Sequence, residues 1–409
     1  HNIWLGLDNG IDCVNADSPI LEFNDFFGKI GAVYTSIIHE NNFYLGTNHG
    51  LFIKNNKASS GFSLINGTEG QVWTLDVIDG QLLCGHDLGT FYIDSNTAIK
   101  IADKPGTWIF KKHPTDNSIL LQGNYKGIFV LNKINNNWRI RNKLKGFDIS
   151  SRFIEFVNDS LILVSHEYKG VFSLKTDAEL TIVKEKGLEE SVKKGNNASM
   201  ASFDSEIFYN NPDGVFRYDK QDFKFFKDLA LSNEIGVSNY LSGKMINDDN
   251  GNFWMFSNSK IHYLFKDIFS DEFKFKSFYF EKNTANNVLG FEHVAKHKGS
   301  KYLLGSNTGY LLVDLGKIKK ARPIVSFEKI RVTDKSNDQT YLPLNQELTL
   351  NTENNNIKFF ISSFNYQKYD KVMYQFMLVG FDQDWRPWTS SAGLALNNLP
   401  TGEYFLKAR

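Results

Sequence analysis

The nine histidines are the residues best suited to acid–base or metal chemistry, and they are scattered along the 409-residue chain. His293 and His297 stand four apart, a spacing that converges on a metal when both lie on a helix. Their segment, FEHVAKHKG, is typical of a strand and turn, where this spacing does not converge. The chain contains no HExxH, GxSxG, Walker or CxxC motif. Glu292 and His293, together with His49 and His86, are therefore the only candidates for a metal-dependent site, and we expect no enzyme activity, metal or cofactor.

A hairpin unit with a glycine at its turn recurs eight times and sets the architecture. It reads NIWLGLDNGIDCV at the start of the chain and KYLLGSNTGYLLVD in the last copy, and the spacing between turns is 38 to 49 residues. A tight hairpin often needs positive φ, which glycine adopts at little cost. The turn residues are Gly10, Gly50, Gly89, Gly127, Gly170, Gly214, Lys260 and Gly309.

Seven of the eight hairpins follow an apolar segment that we interpret as an innermost strand, such as AVYTSIIHE or QVWTLDVID. With a looser fourth strand, each unit makes a four-stranded antiparallel blade. The fold class predicted is all-β, with a seven-bladed β-propeller over residues 28–320. The first hairpin lacks an innermost strand, so we expect residues 1–27 to be the orphan blade remnant of an upstream propeller; recruitment into the following ring is the other interpretation.

Loops entering the innermost strands of a propeller emerge on the same face as the hairpin turns. Aromatic side chains with interleaved charge at this face would suit a glycan or peptide, although aromatic residues there can also simply plug the channel. Trp73 and Trp108 stand out because they occupy equivalent positions in adjacent blades. The strand-entry candidates are Tyr34, Trp73, Trp108, Arg152, Phe153, Lys244, Phe291 and Glu292, and the turn candidates are His49, Asp87, Tyr125, Lys126, Glu167, Tyr168, Lys169 and Asn307.

Composition excludes several classes of protein. The 46 basic and 46 acidic residues cancel, so no global charge favours direct binding of nucleic acid. Cys13 and Cys84 are the only cysteines, which excludes a disulfide framework. No apolar run approaches the length of a membrane span.

After residue 320 the repeat ends and longer strand-like runs follow, which predicts an Ig-like β-sandwich over residues 321–409. The stretches YQFMLVGFDQDW and NLPTGEYFLKAR resemble the triple-tyrosine domain, here C-terminally truncated, and NIWLGLDNG resembles the two-component regulator propeller repeat. The family's first and last tyrosines match Tyr374 and Tyr404, whereas its middle tyrosine falls on Leu396. That position is therefore expected to pack, with no role in ligand binding.

This resemblance is closest to sensor-regulators of Bacteroidetes-type bacteria. It implies an extracytoplasmic ligand-sensing region, at the periplasmic or extracellular face of the inner membrane, of a membrane-anchored transcriptional regulator of two-component or one-component type. A glycan, peptide or protein partner, a downstream membrane helix and a possible homodimer through the sandwich are expected. A non-signalling scaffold or surface-assembly propeller is the alternative, and a metal-dependent propeller enzyme similar to streptogramin lyases is a minor one.

Overall fold

The computed structural model describes residues 2–409 except 56–60, 167, 249, 268, 271, 280–287, 319–323, 335, 345–346, 352–355 and 365–371. The chain divides into two compact units, Pro19–Ile318 and His1–Ser18 with Lys319–Arg409. Both units are built from antiparallel sheets. Among the described residues, no helix has the length and apolar character needed to cross a membrane.

The N-terminal strands β1 (Asn2–Leu7) and β2 (Gly10–Asn15) form a two-stranded hairpin, and β3 (Ile20–Asn24) follows. The hairpin has the sequence pattern of the blades but not their burial. Leu5 and Ile11 are 43% and 75% exposed, whereas the equivalent Leu45 and Leu51 in the first blade are fully buried. Its origin in an upstream propeller stays a prediction.

Seven four-stranded antiparallel sheets make up the propeller, as the repeat predicts. The first four blades are β4–β7 (Val33–His39, Asn42–Thr47, Leu51–Asn55, Ser63–Leu64), β8–β11 (Val72–Ile78, Gln81–His86, Gly89–Asp94, Thr97–Ala102), β12–β15 (Ile109–Lys112, Ile119–Asn124, Gly127–Ile134, Asn137–Lys143) and β16–β19 (Phe153–Phe156, Leu161–His166, Gly170–Thr176, Val183–Leu188). The others are β20–β23 (Ser199–Phe203, Glu206–Asn211, Gly214–Asp219, Lys224–Lys227), β24–β27 (Tyr240–Asn247, Asn252–Ser257, Lys260–Lys266, Phe273–Tyr279) and β28–β30 (Val294–Lys298, Lys301–Ser306, Gly309–Asp314) with β3.

The apolar core lies between blades, since each sheet buries both faces against its neighbours. Leu121 and Val130 of the third blade pack in one cluster with Ile154 and Val164 of the fourth, and all four are fully buried. Burying an aliphatic side chain of this size contributes about 1.5–3 kcal/mol. Stacking of blades therefore stabilises strands that a single sheet could not hold.

The seventh blade is closed by a strand from the other end of the sequence. β3 pairs with β30 from Ile20 opposite Val313 to Asn24 opposite Gly309, and the Asp314 backbone N–H donates to the Pro19 carbonyl at 2.7 Å. The ring therefore begins before residue 28, and the predicted boundary was too late. Of the two interpretations of the first repeat, recruitment into the ring applies to β3.

The turn glycines have the conformation expected of them and a second reason to lack a side chain. Gly89 and Gly309 have φ of 136° and 125°. A Cβ on either would lie 2.2 Å from a backbone carbonyl of the adjacent outer strand, at Ala102 and Phe23 respectively. Lys260, the exception in the repeat, is not among the residues with positive φ.

A short helix, α1 (Leu229–Ile235), was not predicted, because seven residues carry too little periodicity. Asp228 caps it by accepting a hydrogen bond from the Leu231 backbone N–H at 3.0 Å, and a 3₁₀ turn (Val237–Asn239) follows. The segment ELTIVKEKGLEESVKKG is rich in residues that suit a helix, but it has an internal glycine and contains β19.

The C-terminal unit has the two sheets of a sandwich. One sheet contains β31 (Val325–Thr333), β32 (Gln339–Leu342), β33 (Asn356–Ser363) and β35 (Gly393–Leu396), and the other contains β34 (Phe376–Val379) and β36 (Phe405–Ala408). Ile361, Tyr374 and Phe376 form its buried core. The all-β class, the propeller and the sandwich are all as predicted.

The positions matched to the triple-tyrosine pattern have structural roles. Tyr374 is 7% exposed and Leu396 is 5% exposed, so the aliphatic replacement packs in the interior as expected. The Tyr404 hydroxyl donates to the Pro400 carbonyl at 2.9 Å and fixes the turn before β36. Trp388 does not fill the space between the sheets, because its side chain is 52% exposed, and the Arg409 guanidinium lies 5.6 Å from its ring.

Closure by β3 can be tested with two adjacent residues. Ile20→Ala should lower the free energy of unfolding of the propeller by about 2–4 kcal/mol, because Ile20 is 5% exposed. Leu21→Ala is the matched control and should cost less than about 1 kcal/mol, because Leu21 is 48% exposed. Denaturant titration followed by tryptophan fluorescence measures both, and equal effects would contradict closure by this strand.

Candidate functional site

Strand entries and hairpin turns share one face of the ring, as propeller geometry requires. The Ala32 backbone N–H, before β4, donates to the Asn48 side chain in the next turn at 2.8 Å. The Gln71 backbone N–H donates to the Asp87 carboxylate at 3.3 Å in the same way. The two groups of candidates nominated from the sequence therefore lie on the same face.

Four aromatic side chains from four blades meet at the centre of this face, and we refer to Tyr34, Trp73, Trp108 and Phe291 as the aromatic layer. The ring centroids of Trp73 and Trp108 are 4.4 Å apart, and Tyr34 stacks on Trp73 at 5.3 Å. Phe291 lies 5.2 Å from Tyr34, 5.4 Å from Trp73 and 6.2 Å from Trp108. The side chains stack on one another across the channel while each remains half-buried. The aromatic layer thus lies at the start of the innermost strands, where its rings also line the channel cavity and keep part of their surface exposed.

Hydrogen bonds fix the orientation of both indoles. Trp73 Nε1 donates to the Tyr125 hydroxyl at 3.0 Å, and Trp108 Nε1 donates to Ser150 Oγ at 3.1 Å. Tyr125 also lies edge-on to Trp108 at 5.2 Å. Burial raises the pKa of the Tyr125 hydroxyl, so this group stays protonated at neutral pH. Rigid rings at fixed angles are suited to stacking on a flat ligand.

A buried guanidinium supports the aromatic layer. Arg152 is 8% exposed and lies 4.0 Å from the Phe291 ring and 5.3 Å from the Trp108 ring. It also donates to the Gly290 carbonyl at 2.5 Å. Phe153 is 5% exposed, and Lys244 lies over its ring at 5.4 Å. Arg152 therefore positions the layer, and Phe153 contacts both Arg152 and the half-buried Lys244.

Glu292 is held inside the ring rather than on the face. It is 2% exposed and accepts hydrogen bonds from Ser242 Oγ at 2.7 Å and from the Gly290 backbone N–H at 3.2 Å. Burial raises the pKa of its carboxyl above the usual value, although these hydrogen bonds and the Lys244 charge act against that shift. The carboxyl therefore stabilises the loop that carries Phe291.

His293 is a buried neutral imidazole whose Nε2 faces Ser36. This nitrogen lies 2.8 Å from the Ser36 backbone nitrogen and 3.2 Å from the Ser36 carbonyl oxygen. Burial and, to a lesser extent, the positive charge of Lys244 lower its pKa to about 3, against the effect of the Ser36 hydrogen bond. The ring joins the innermost strands of the first and seventh blades.

The four residues considered for metal chemistry have separate partners. His86 is fully buried, with Nε2 donating to the Thr68 carbonyl at 3.1 Å and Nδ1 2.6 Å from the Asp87 carboxylate. His49 lies 3.4 Å from the Lys29 carbonyl. In the described part of the chain, no three His, Cys, Asp or Glu side chains come together as a potential metal site.

The remaining turn candidates lie further out on the same face. Lys126, Tyr168, Lys169 and Asn307 are exposed, whereas Asp87 is half-buried. Glu167 lies outside the described residues. The structure therefore brings Arg152 and Tyr125 together with the aromatic layer, whereas Glu292 is internal and the turn residues Lys126, Tyr168, Lys169 and Asn307 are exposed.

The sequence reasoning missed the wall of the channel. A cavity of about 690 Å³ is lined by the innermost strands along their length, from Tyr34 and Trp73 at one end to His39 and Lys111 at the other. Lys111 pairs with Glu155 at 2.5 Å and donates to Ser202 Oγ at 3.0 Å. The predicted innermost strands could have nominated these side chains, because the innermost strand of each blade lines the central channel.

No family model matches the chain, and no curated protein matches it. Among solved structures, the extracellular domain of a putative hybrid two-component system from B. thetaiotaomicron matches with a TM-score of 0.75 and 18% identity, over 100% of this chain and 58% of that one. The extracellular domain of a second putative regulator from B. thetaiotaomicron matches at 15% identity in two structures. One, described as a one-component system, has a TM-score of 0.50 over 57% of that chain, and the other, described as a hybrid two-component system, has 0.51 over 59%.

The likeness is one of fold. The chain spans less than two thirds of the length of these structures, and all three are below 25% identity. The predicted resemblance to extracytoplasmic regulators of Bacteroidetes-type bacteria is confirmed at this level, because the matched domains are extracellular parts of such systems.

The pKa of His293 predicts a pH dependence of stability. An unfolded histidine binds its proton near pH 6.5, whereas His293 in the folded chain does so near pH 3. The unfolded state binds more protons between these values, so stability falls as the pH is lowered through this window, by at most about 1.4 kcal/mol per pH unit from this residue. His293→Gln should reduce the slope of unfolding free energy against pH, whereas the exposed control His49→Gln should not. An unchanged slope in His293→Gln would contradict the assignment.

Proposed function

We propose that this chain is the ligand-sensing extracytoplasmic region of a membrane-anchored transcriptional regulator, and that its ligand binds on the aromatic layer. The observation that carries the proposal is the layer itself, four half-buried rings held rigid on one face of the ring. The matching fold of extracellular domains of two-component and one-component systems supports the regulatory assignment.

The geometry favours a ligand that binds on the face of the propeller rather than one that enters the channel. Trp73, Trp108 and Phe291 stack on one another at the centre, so a ligand would contact their free ring surface and the exposed turns. Stacking supplies apolar contact, while Lys244, Lys126 and Lys169 supply polar groups at the edge. A glycan or a peptide has both kinds of group, and a protein loop is a further possibility of the same chemistry.

The proposed role is binding without chemistry. Glu292 and His293 hydrogen-bond to Ser242 and Ser36, which supports a structural role for both side chains. Binding would change the arrangement of the sandwich and so the output of the regulator. A ligand achieves this only by its differential affinity for two states.

The double substitution Trp73→Ala with Trp108→Ala tests the site. An array of neutral and acidic oligosaccharides and short peptides identifies a binder, and calorimetry then measures its affinity. The double variant should bind at least tenfold more weakly, because aromatic contacts of this kind contribute about 0.5–1.5 kcal/mol each beyond their area. Phe226→Ala, 46% exposed on β23, is the control and should bind as the unaltered chain does.

A thermal melt accompanies each measurement, so that loss of binding is separated from loss of fold. Tyr34→Ala is a second variant. It removes one ring of the layer without the loss of the indole hydrogen bonds that the double variant causes. Undiminished affinity in a folded double variant would overturn the proposed site. A ligand-responsive reporter in the full-length protein distinguishes sensing from a scaffold role, since a scaffold would bind without changing transcription.

A further inference from the structure

The four-stranded sheet of the sandwich places its charged residues on one face by simple alternation. Ile330 and Val332 of β31 are 7% and 4% exposed and point into the core. Lys329 precedes Ile330, and Arg331 lies between Ile330 and Val332. Because side chains alternate along a strand, Lys329 and Arg331 point to the other face. That face carries the residues discussed below.

The register of β31 with β33 brings like charges together. Arg331 lies directly opposite Lys358, and Lys329 lies opposite Phe360, the next residue on the same face. Like charges at directly opposed positions of an antiparallel pair destabilise the sheet. Because this pair of like charges destabilises the sheet, we look for a role of the pair in binding.

All three cations surround one phenyl ring. Lys329 Nζ lies 4.8 Å, Lys358 Nζ 5.1 Å and the Arg331 guanidinium carbon 5.6 Å from the Phe360 centroid. Lys329 Nζ also lies 5.5 Å from the ring of Tyr341, which is 57% exposed on β32. We call these five residues the basic patch. Attraction between the cations and the ring holds the positive charges close together.

Within the described part of the chain, the basic patch lacks acidic partners. The ion pair described in the sandwich is Arg386 with Asp382, and none involves Lys329, Arg331 or Lys358. Glu328, the nearest acidic residue in sequence, accepts a hydrogen bond from Ser362. The whole chain has equal numbers of acidic and basic residues, so this local excess does not follow from composition.

We propose that the basic patch binds the surface of a bilayer that contains anionic phospholipid. Side chains stand roughly perpendicular to a sheet, so cations from two adjacent strands reach the same height above it. The three cations lie around one ring, with Lys329 exposed and Arg331 and Lys358 half-buried, and this close grouping suits closely spaced phosphates. Tyr341 adds an exposed ring with a polar tip, the type of side chain that favours the membrane interface. The proposal does not depend on the ligand of the aromatic layer.

Vesicle co-sedimentation of the 409-residue chain tests the proposal. Vesicles of phosphatidylcholine with phosphatidylglycerol should bind the protein at low salt and release it at high salt, and pure phosphatidylcholine vesicles should not bind. Lys329→Gln with Lys358→Gln should weaken binding by about fivefold for each charge removed. Lys184→Gln with Lys186→Gln, two exposed lysines on β19, is the matched control and should bind as before.

A stability measurement separates this role from a structural one. Lys358→Gln should raise the melting temperature of the sandwich while vesicle binding falls, because it removes the repulsion with Arg331. Equal binding to both kinds of vesicle, or an equal loss in the control, would overturn the proposal. So would retention on immobilised dextran sulfate without vesicle binding, which would indicate a soluble polyanion as the partner.

Discussion

Pairing of β3 with β30 is the constraint on which the propeller depends. The blades of a ring pack face to face, but the chain that forms them has two ends, and the ring is closed only where these are joined. Here the joint is a five-residue antiparallel ladder in which Ile20 meets Val313 and Asn24 meets Gly309. Glycine at position 309 permits it, because a side chain there would lie against the Phe23 carbonyl. Once the ring is closed, the starts of all seven innermost strands are brought round one axis.

That convergence creates the aromatic layer. Tyr34, Trp73 and Trp108 come from three consecutive blades, whereas Phe291 precedes the seventh, so the contacts of Phe291 with the other three rings exist only when the ring closes. Arg152 and Glu292 add buried groups that hold the same loops, and their desolvation is offset by hydrogen bonds and ring contacts. The rings are therefore fixed before any ligand arrives, which lowers the entropy lost on binding.

Features that depend on the local sequence repeat could be predicted from the sequence. Turn glycines and alternating strands specify the blades, and the entry positions of the innermost strands identified Trp73 and Trp108 as neighbours. The sequence did not predict which blade contains Ile20–Asn24. This strand pairs with β30, which lies at the other end of the propeller sequence, and such a distant pairing has no local sequence signal. It also could not tell accessible from buried candidates, since Phe153 and Glu292 share the positional pattern of Trp108 and differ only in three-dimensional packing. The like-charged pair in the sandwich was equally out of reach, as it depends on strand register.

The hydrogen bond between Asp314 and Pro19 places the entry and exit of the propeller chain side by side. Because β3 and β30 run antiparallel, tension applied to both connections would open their ladder from that end, one hydrogen bond at a time. Such unzipping resists force far less than shearing, in which all the bonds of a ladder must break together. The seventh blade is thus mechanically the weakest part of the ring, and tension on the chain would separate β3 from β30 before it disrupts any other blade.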